Sequence, residues 1–176
     1  MREDDPLTRL REFSRTVHEE VDKAYSGFDL SDPVSYRQFL QAHGRVLPQV
    51  EQWLKMVPDL PSWEERTKFL SQDLAALGYG LPERLYWAAP EGNGAPLGSL
   101  YVIEGSRLGG KMLLTQVGEG LPRAYLSAAH VKGSWPAFLQ ALRDRLNKAD
   151  EAYRQSVMNG VASTFELFRR AAAVRD

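Results

Sequence analysis

The amino-acid sequence predicts an all-α fold in a single domain spanning residues 1–176. Three observations carry that expectation. Apolar residues recur at helical spacing in segment after segment. Helix-opening signals, either a capping residue followed by proline or a Ser with Glu three residues on, precede several of those segments. No stretch alternates apolar and polar residues with turn dipeptides at strand spacing.

In chain order, Asp5-Pro6 supplies an N-cap and a first-turn proline, and Leu7, Leu10, Phe13, Val17 and Val21 follow at helical spacing. Ser31-Asp32-Pro33 opens a second segment carrying Phe39, Leu40, Val46, Leu47, Val50, Trp53 and Leu54, which Pro48 should kink or divide. Ser62 with Glu65 reads as a capping box, and Gly78 as the C-cap of the helix it opens. The stretch AAPEGNGAPLG, 88–98, is loop-rich but too short and too central to divide the chain into two cores. Residues 99–116, SLYVIEGSRLGGKMLLTQ, read as an apolar helix interrupted by Gly105, Gly109 and Gly110. Ser134 can cap a helix holding Phe138, Leu139, Leu142 and Leu146. A last helix runs through Tyr153, Val157, Val161, Phe165 and Phe168.

Composition narrows the function. With 43% hydrophobic and 26% charged residues and a formal net charge of −1, the chain has the make-up of an ordinary globular protein, and no basic stripe invites nucleic acid. The absence of cysteine removes disulfides, thiolate metal sites, iron–sulfur clusters and a Cys nucleophile together. The start, MREDDPLTRLREF, lacks the apolar core of a signal peptide, and no run of about 18 apolar residues offers a membrane span. The expectation is a cytoplasmic protein with no membrane partner. There is no GxSxG elbow, no Walker-type loop and no Glu-x-x-His pair of a di-iron bundle. Three widely spaced histidines make no zinc site. His43, beside Ala42 and Gly44, reads as a packed or surface residue, His130 as a loop residue, and the four tryptophans as core or rim aromatics.

Two stretches remain. Each glycine in a helix interior costs about 0.5–1 kcal/mol relative to alanine, so Gly105, Gly109 and Gly110 need a reason. Gly105 and Gly109 share one helix face. One reading is close packing of a second helix; the other is a flat ligand lying against bare backbone. In LTRLREFSRTVHEEVD, a row of Arg11, Ser14, Arg15, His18 and Asp22 runs beside the apolar stripe. An imidazole at the core edge, with two arginines one and two turns before it, suits an iron ligand with partners for a haem's two propionates.

Together these stretches resemble the haem oxygenase family. Its bacterial, biliverdin-producing branch typically carries LYVLEGSxLGG, and residues 100–110 read LYVIEGSRLGG. LREFSRTVH fits the family's first helix, which implies His18 as the axial iron ligand and Arg11, with Arg15, at propionate positions. FLQALRDRL fits a later helix and implies Arg143 at a second propionate position; ASTFELF implies Phe165 on the pocket wall. The resemblance implies haem sandwiched between the first helix and a glycine-kinked distal helix. There Gly105, Gly109 and Gly110 let backbone approach the ring, and Gly105, Ser106 and Gly109 serve catalysis through a backbone amide and ordered water. It further implies cleavage of haem to biliverdin, CO and ferrous iron with O2, and electrons from a separate reductase or ferredoxin. A phytochrome receiving biliverdin is a compatible partner, and a non-catalytic haem-binding or haem-sensing relative is the alternative. Two departures stand out: Ser106 replaces the aspartate of animal-type enzymes, and Ala129-His130 stands where relatives tend to have Tyr-Gly.

Overall fold

The computed structural model describes residues 5–175. Those residues form eight α-helices and no strand: α1 Pro6–Tyr25, α2 Pro33–Gly44, α3 Leu47–Lys55, α4 Thr67–Ala76, α5 Ala95–Leu114, α6 Ala124–Ser127, α7 Ser134–Lys148 and α8 Glu151–Ala172. No helix among them is long and apolar enough to cross a membrane.

Capping chemistry explains several boundaries. Asp32 accepts the Ser35 amide at 2.8 Å to open α2, and Asp150 accepts the Tyr153 amide at 2.8 Å to open α8. Pro48 divides the second segment as expected, at the start of α3. At the end of α4, Gly78 takes φ +86°, while the Tyr79 amide bonds Leu74 O and the Gly78 amide bonds Ala75 O. That pairing is a Schellman stop, which needs the left-handed residue glycine supplies.

Three expectations are corrected. The Ser62/Glu65 box does not open a helix; α4 begins only at Thr67. The buried Glu51 carboxylate of α3 reaches across to accept from the Arg66 amide at 2.8 Å and from Thr67 N and Oγ1 at 3.1 and 2.5 Å. This partner from another helix displaces the local cap. Ser134 begins α7 rather than capping it, with Gly133 before it at φ +84°. The stretch 88–98 is only partly loop, because α5 starts at Ala95.

α5 and α8 form the central crossing, and α1 also packs on α8. The closest approach is made by glycines outside the motif. A Cβ on Gly98 would stand 1.9 Å from Val157 O, and one on Gly160 2.0 Å from Ala95 O. Small-residue packing therefore operates at Gly98 and Gly160. Around that crossing Leu97, Leu100, Ile103, Val157, Val161 and Leu167 are buried. Toward its other end α5 stays helical through Gly105, Gly109 and Gly110 and parts from α8. The space between its last turns and α1 is a cleft.

Candidate haem-binding site

The cleft has a volume of about 540 Å³, within the range of roughly 300–1,000 Å³ usual for small-molecule sites. One wall is α1, with Arg11, Arg15, His18 and Asp22; the facing wall is α5, with Tyr101, Gly105, Ser106 and Gly109. Phe165 and Phe168 of α8 close its floor.

Helical spacing places the α1 residues on this wall. Leu7 and Leu10 are buried in the core, whereas the row Arg11, Arg15, His18, Asp22 runs along the cleft edge. His18 Nδ1 lies 3.1 Å from Asp22 Oδ2, one turn on. With that nitrogen bonded to a carboxylate, Nε2 is the ring atom left for a metal, the usual arrangement at a ligating histidine. The imidazole also meets the Phe165 ring edge-on at 5.7 Å between centroids, which fixes its tilt. No three His, Asp or Glu side chains gather for a metal among the described residues. A metal at His18 must therefore bring most of its own ligands, as a porphyrin does.

The glycines separate cleanly. A Cβ at Gly109 would meet nothing within 4 Å, and one at Gly105 would meet only Trp135 Cη2 at 3.6 Å. Both line the cleft, Gly109 facing open space and Gly105 lying beside the Trp135 ring. Gly110 does not line the cleft: a Cβ there would lie 3.0 Å from Leu126 O, so it is a packing residue against α6. Arg11 and Arg15 are exposed at the cleft and have no acidic partner among the described residues. Arg143 is not at the cleft. Its guanidinium turns to Asp5, 3.6 Å away, whose carboxylate also accepts the Thr8 hydroxyl at 2.9 Å. This arrangement does not bring Arg143 to the cleft with Arg11 and Arg15.

Two further residues join the site. His43 is wrapped by the rings of Tyr25, Phe39, Tyr125 and Phe168, and its remaining exposure faces the cleft. Nδ1 donates to Phe39 O at 2.9 Å, since a carbonyl only accepts, which leaves Nε2 as an acceptor. Burial pushes its pKa down to about 4, further lowered by Arg66 and only partly offset by the carbonyl bond. Arg66, just before α4, donates to Ile103 O at 2.6 Å and to Ser106 Oγ at 2.5 Å. Its guanidinium also lies over the Tyr125 ring. A second void of about 30 Å³ touches His43, Arg66, Ser106 and Tyr125, room for a water with polar partners. No local pattern marks either residue: His43 sits in an apolar helix, and Arg66 follows Glu64-Glu65 in an ordinary charged run.

The cleft suits haem on this chain's own features. It offers the His18 Nε2, a strip of bare backbone opposite, apolar rings beneath, and two arginines at the lip with no acidic partner among the described residues.

No family model matches the chain. The fold is similar to that of the haem oxygenase of Neisseria meningitidis solved with NO and CO bound, with a TM-score of 0.74 at 22% identity, covering 98% of this chain and 94% of that one. Over 153 residues the sequence is 30% identical to a heme oxygenase of Xanthomonas campestris pv. campestris, covering 81% of this chain and 91% of that protein. The chain belongs to the haem oxygenase family.

Proposed function

We propose that this protein is a haem oxygenase that seats haem between α1 and α5 and cleaves it to biliverdin, CO and ferrous iron. The observation that carries the reading is the open space at Gly109, which faces the same cleft as His18, with Gly105 on the same wall. A helix-packing role for Gly109 would have left a neighbour in contact. Bound haem supplies iron, the site of O2 activation and the carbon that is oxidised.

The protein's part is orientation and proton supply. His18 would hold the iron through Nε2, with Asp22 fixing the ring through Nδ1. Arg11 and Arg15 pair with the propionates, which sets the in-plane rotation and so the ring edge presented for attack. Gly105 and Gly109 present bare backbone to the cleft, so a flat ring could approach α5 closely there. Ser106 Oγ donates to Ile103 O at 2.7 Å and accepts from Arg66, so it is held in one orientation. A water beside it can pass a proton toward the ring, with the His43 Nε2 acceptor orienting that water. Arg66 and His43 here offset the missing carboxylate at position 106. Electrons come from a separate reductase or ferredoxin. Iron release and biliverdin supply to a phytochrome both fit the products.

The test is haem titration followed by reduction under O2. The expected result is one haem per chain, a spectrum altered grossly by His18→Ala, and conversion to biliverdin with CO release. A wild-type spectrum in His18→Ala, or haem bound without conversion by any donor, would refute the assignment.

A further inference from the structure

Glu104 and Gly105 are neighbours on α5 and point about 100° apart. Gly105 faces the cleft, whereas the Glu104 carboxylate is buried on the side toward the segment between α6 and α7. A buried carboxylate needs hydrogen-bonded partners. Arg107 Nε supplies one at 3.2 Å to Oε1. His130 Nε2 supplies the other at 3.2 Å to Oε2, from a position that departs from the family pattern.

The same imidazole touches the cleft wall from behind. Its ring lies 5.3 Å from the Trp135 ring at 31°. Trp135 stacks in turn near Tyr101 at 6.1 Å and Phe138 at 5.6 Å, and it is the side chain nearest Gly105. Trp135 and Tyr101 both line the cleft. The intervening segment has little of its own to hold it: Val131 is 70% exposed and Gly133 is left-handed. It is tied to the body by Arg107 on Ala128 O at 3.0 Å and by His130 on Glu104.

We propose that His130 is a positioning residue: anchored on Glu104, it holds the Trp135 ring against α5 and thereby sets how the substrate seats at the Gly105 end of the cleft. The inference rests on the haem reading of that cleft. Burial, reinforced by the Arg107 and Arg66 guanidinium groups, outweighs the pull of Glu104 and holds the His130 imidazole below its ordinary value. The link is then a neutral Nε2–H donor on a carboxylate, which persists at neutral pH. The position has a double requirement, a donor on one edge and a flat face on the other, that histidine meets.

Two variants separate anchor from bulk. His130→Phe keeps a ring beside Trp135 and removes the donor; His130→Gln keeps a donor within reach of Glu104. 5-Fluorotryptophan labelling, with Trp135→Phe for assignment, reports the Trp135 environment in the protein without haem. Haem affinity and biliverdin isomer composition report the seating. In His130→Phe the Trp135 fluorine line should shift or broaden, haem should bind about fivefold more weakly, the factor expected for one net hydrogen bond, and the isomers should mix. His130→Gln should restore the affinity and the isomer pattern. His130→Ala replaces the Phe variant in the same comparison should that one not fold. A lower melting temperature in His130→Phe with the fluorine line and isomers of wild type would overturn the proposal, leaving His130 a stabilising contact only. Failure of His130→Gln to restore either readout would overturn the anchor. A wild-type protein that binds no haem would overturn the reading of the cleft itself, while the fluorine line would still judge the His130–Trp135 link.

Discussion

The three motif glycines, alike in sequence, hold different places. Gly109→Ala adds a methyl group to open space, so the protein without haem should gain about 0.5–1 kcal/mol from helix propensity. The same methyl would stand between backbone and haem, slowing or redirecting oxygenation. Melting temperature without haem, alongside single-turnover conversion, reads both effects. A variant that melts earlier and converts haem normally would put Gly109 among the packing glycines. Arginines divide in the same way. Arg11 and Arg15 stand at the cleft without acidic partners among the described residues, whereas Arg143 is engaged with Asp5. Arg11→Glu with Arg15→Glu should weaken haem binding by about tenfold or more, the loss of charge-assisted contacts worth about 1.5–3 kcal/mol. Arg143→Glu should leave affinity and isomer ratio near wild type. Equal losses from both changes would return Arg143 to the propionate set.

At the scale of elements, the α5–α8 crossing is the least forgiving contact. Gly98→Ala drives a methyl carbon into the Val157 carbonyl, so the helices must separate, at a cost of about 3 kcal/mol or more. Thermal denaturation of the protein without haem measures it, and a melting temperature near wild type would mean the crossing can slide. Glu51→Gln should cost about 1–3 kcal/mol, because an amide cannot accept all three donors at the head of α4. What was legible in the sequence follows the range of the forces involved. Helical stripes, the Pro48 division and the Gly78 stop are set by neighbours in the chain, and the sequence displays them. The Glu51 cap and the four-residue α6, whose Ala124 and Tyr125 amides bond the Asp73 carboxylate at 3.0 and 2.8 Å, depend on partners far away in sequence. The site divides likewise. His18, Arg11, Arg15, Gly105 and Gly109 lie at helical spacing within two helices, in motifs that resemble the family's, and reach one cleft. His43 and Arg66 acquire their places only when four helices close round them.

Across the whole molecule, the cleft is built around a histidine kept uncharged. His43 has a folded pKa near 4 against about 6.5 for a free imidazole, because its ring is buried among aromatic groups with Arg66 nearby. Between those values the unfolded chain binds more protons than the folded one, so stability rises with pH there. The contribution is complete above about pH 6.5 and is lost as pH falls toward 4. The full shift corresponds to about 3 kcal/mol, an upper figure since the cleft side admits water. Asp73 acts with the opposite sign: burial raises its carboxyl, so the folded state holds that proton more tightly at low pH. The two are separated by changing His43 alone. His43→Leu removes the titrating group, while the Phe39 carbonyl that it bonds keeps its place in the α2 helix. Urea unfolding of the protein without haem, repeated from pH 7 to pH 4, should therefore fall steeply in wild type and less so in His43→Leu. Parallel pH profiles would mean that water already reaches the ring freely and His43 titrates as an ordinary imidazole. The distal wall would then carry a positive charge below pH 6.5 beside Arg66, and His43 Nε2 could not accept a proton-relaying water there.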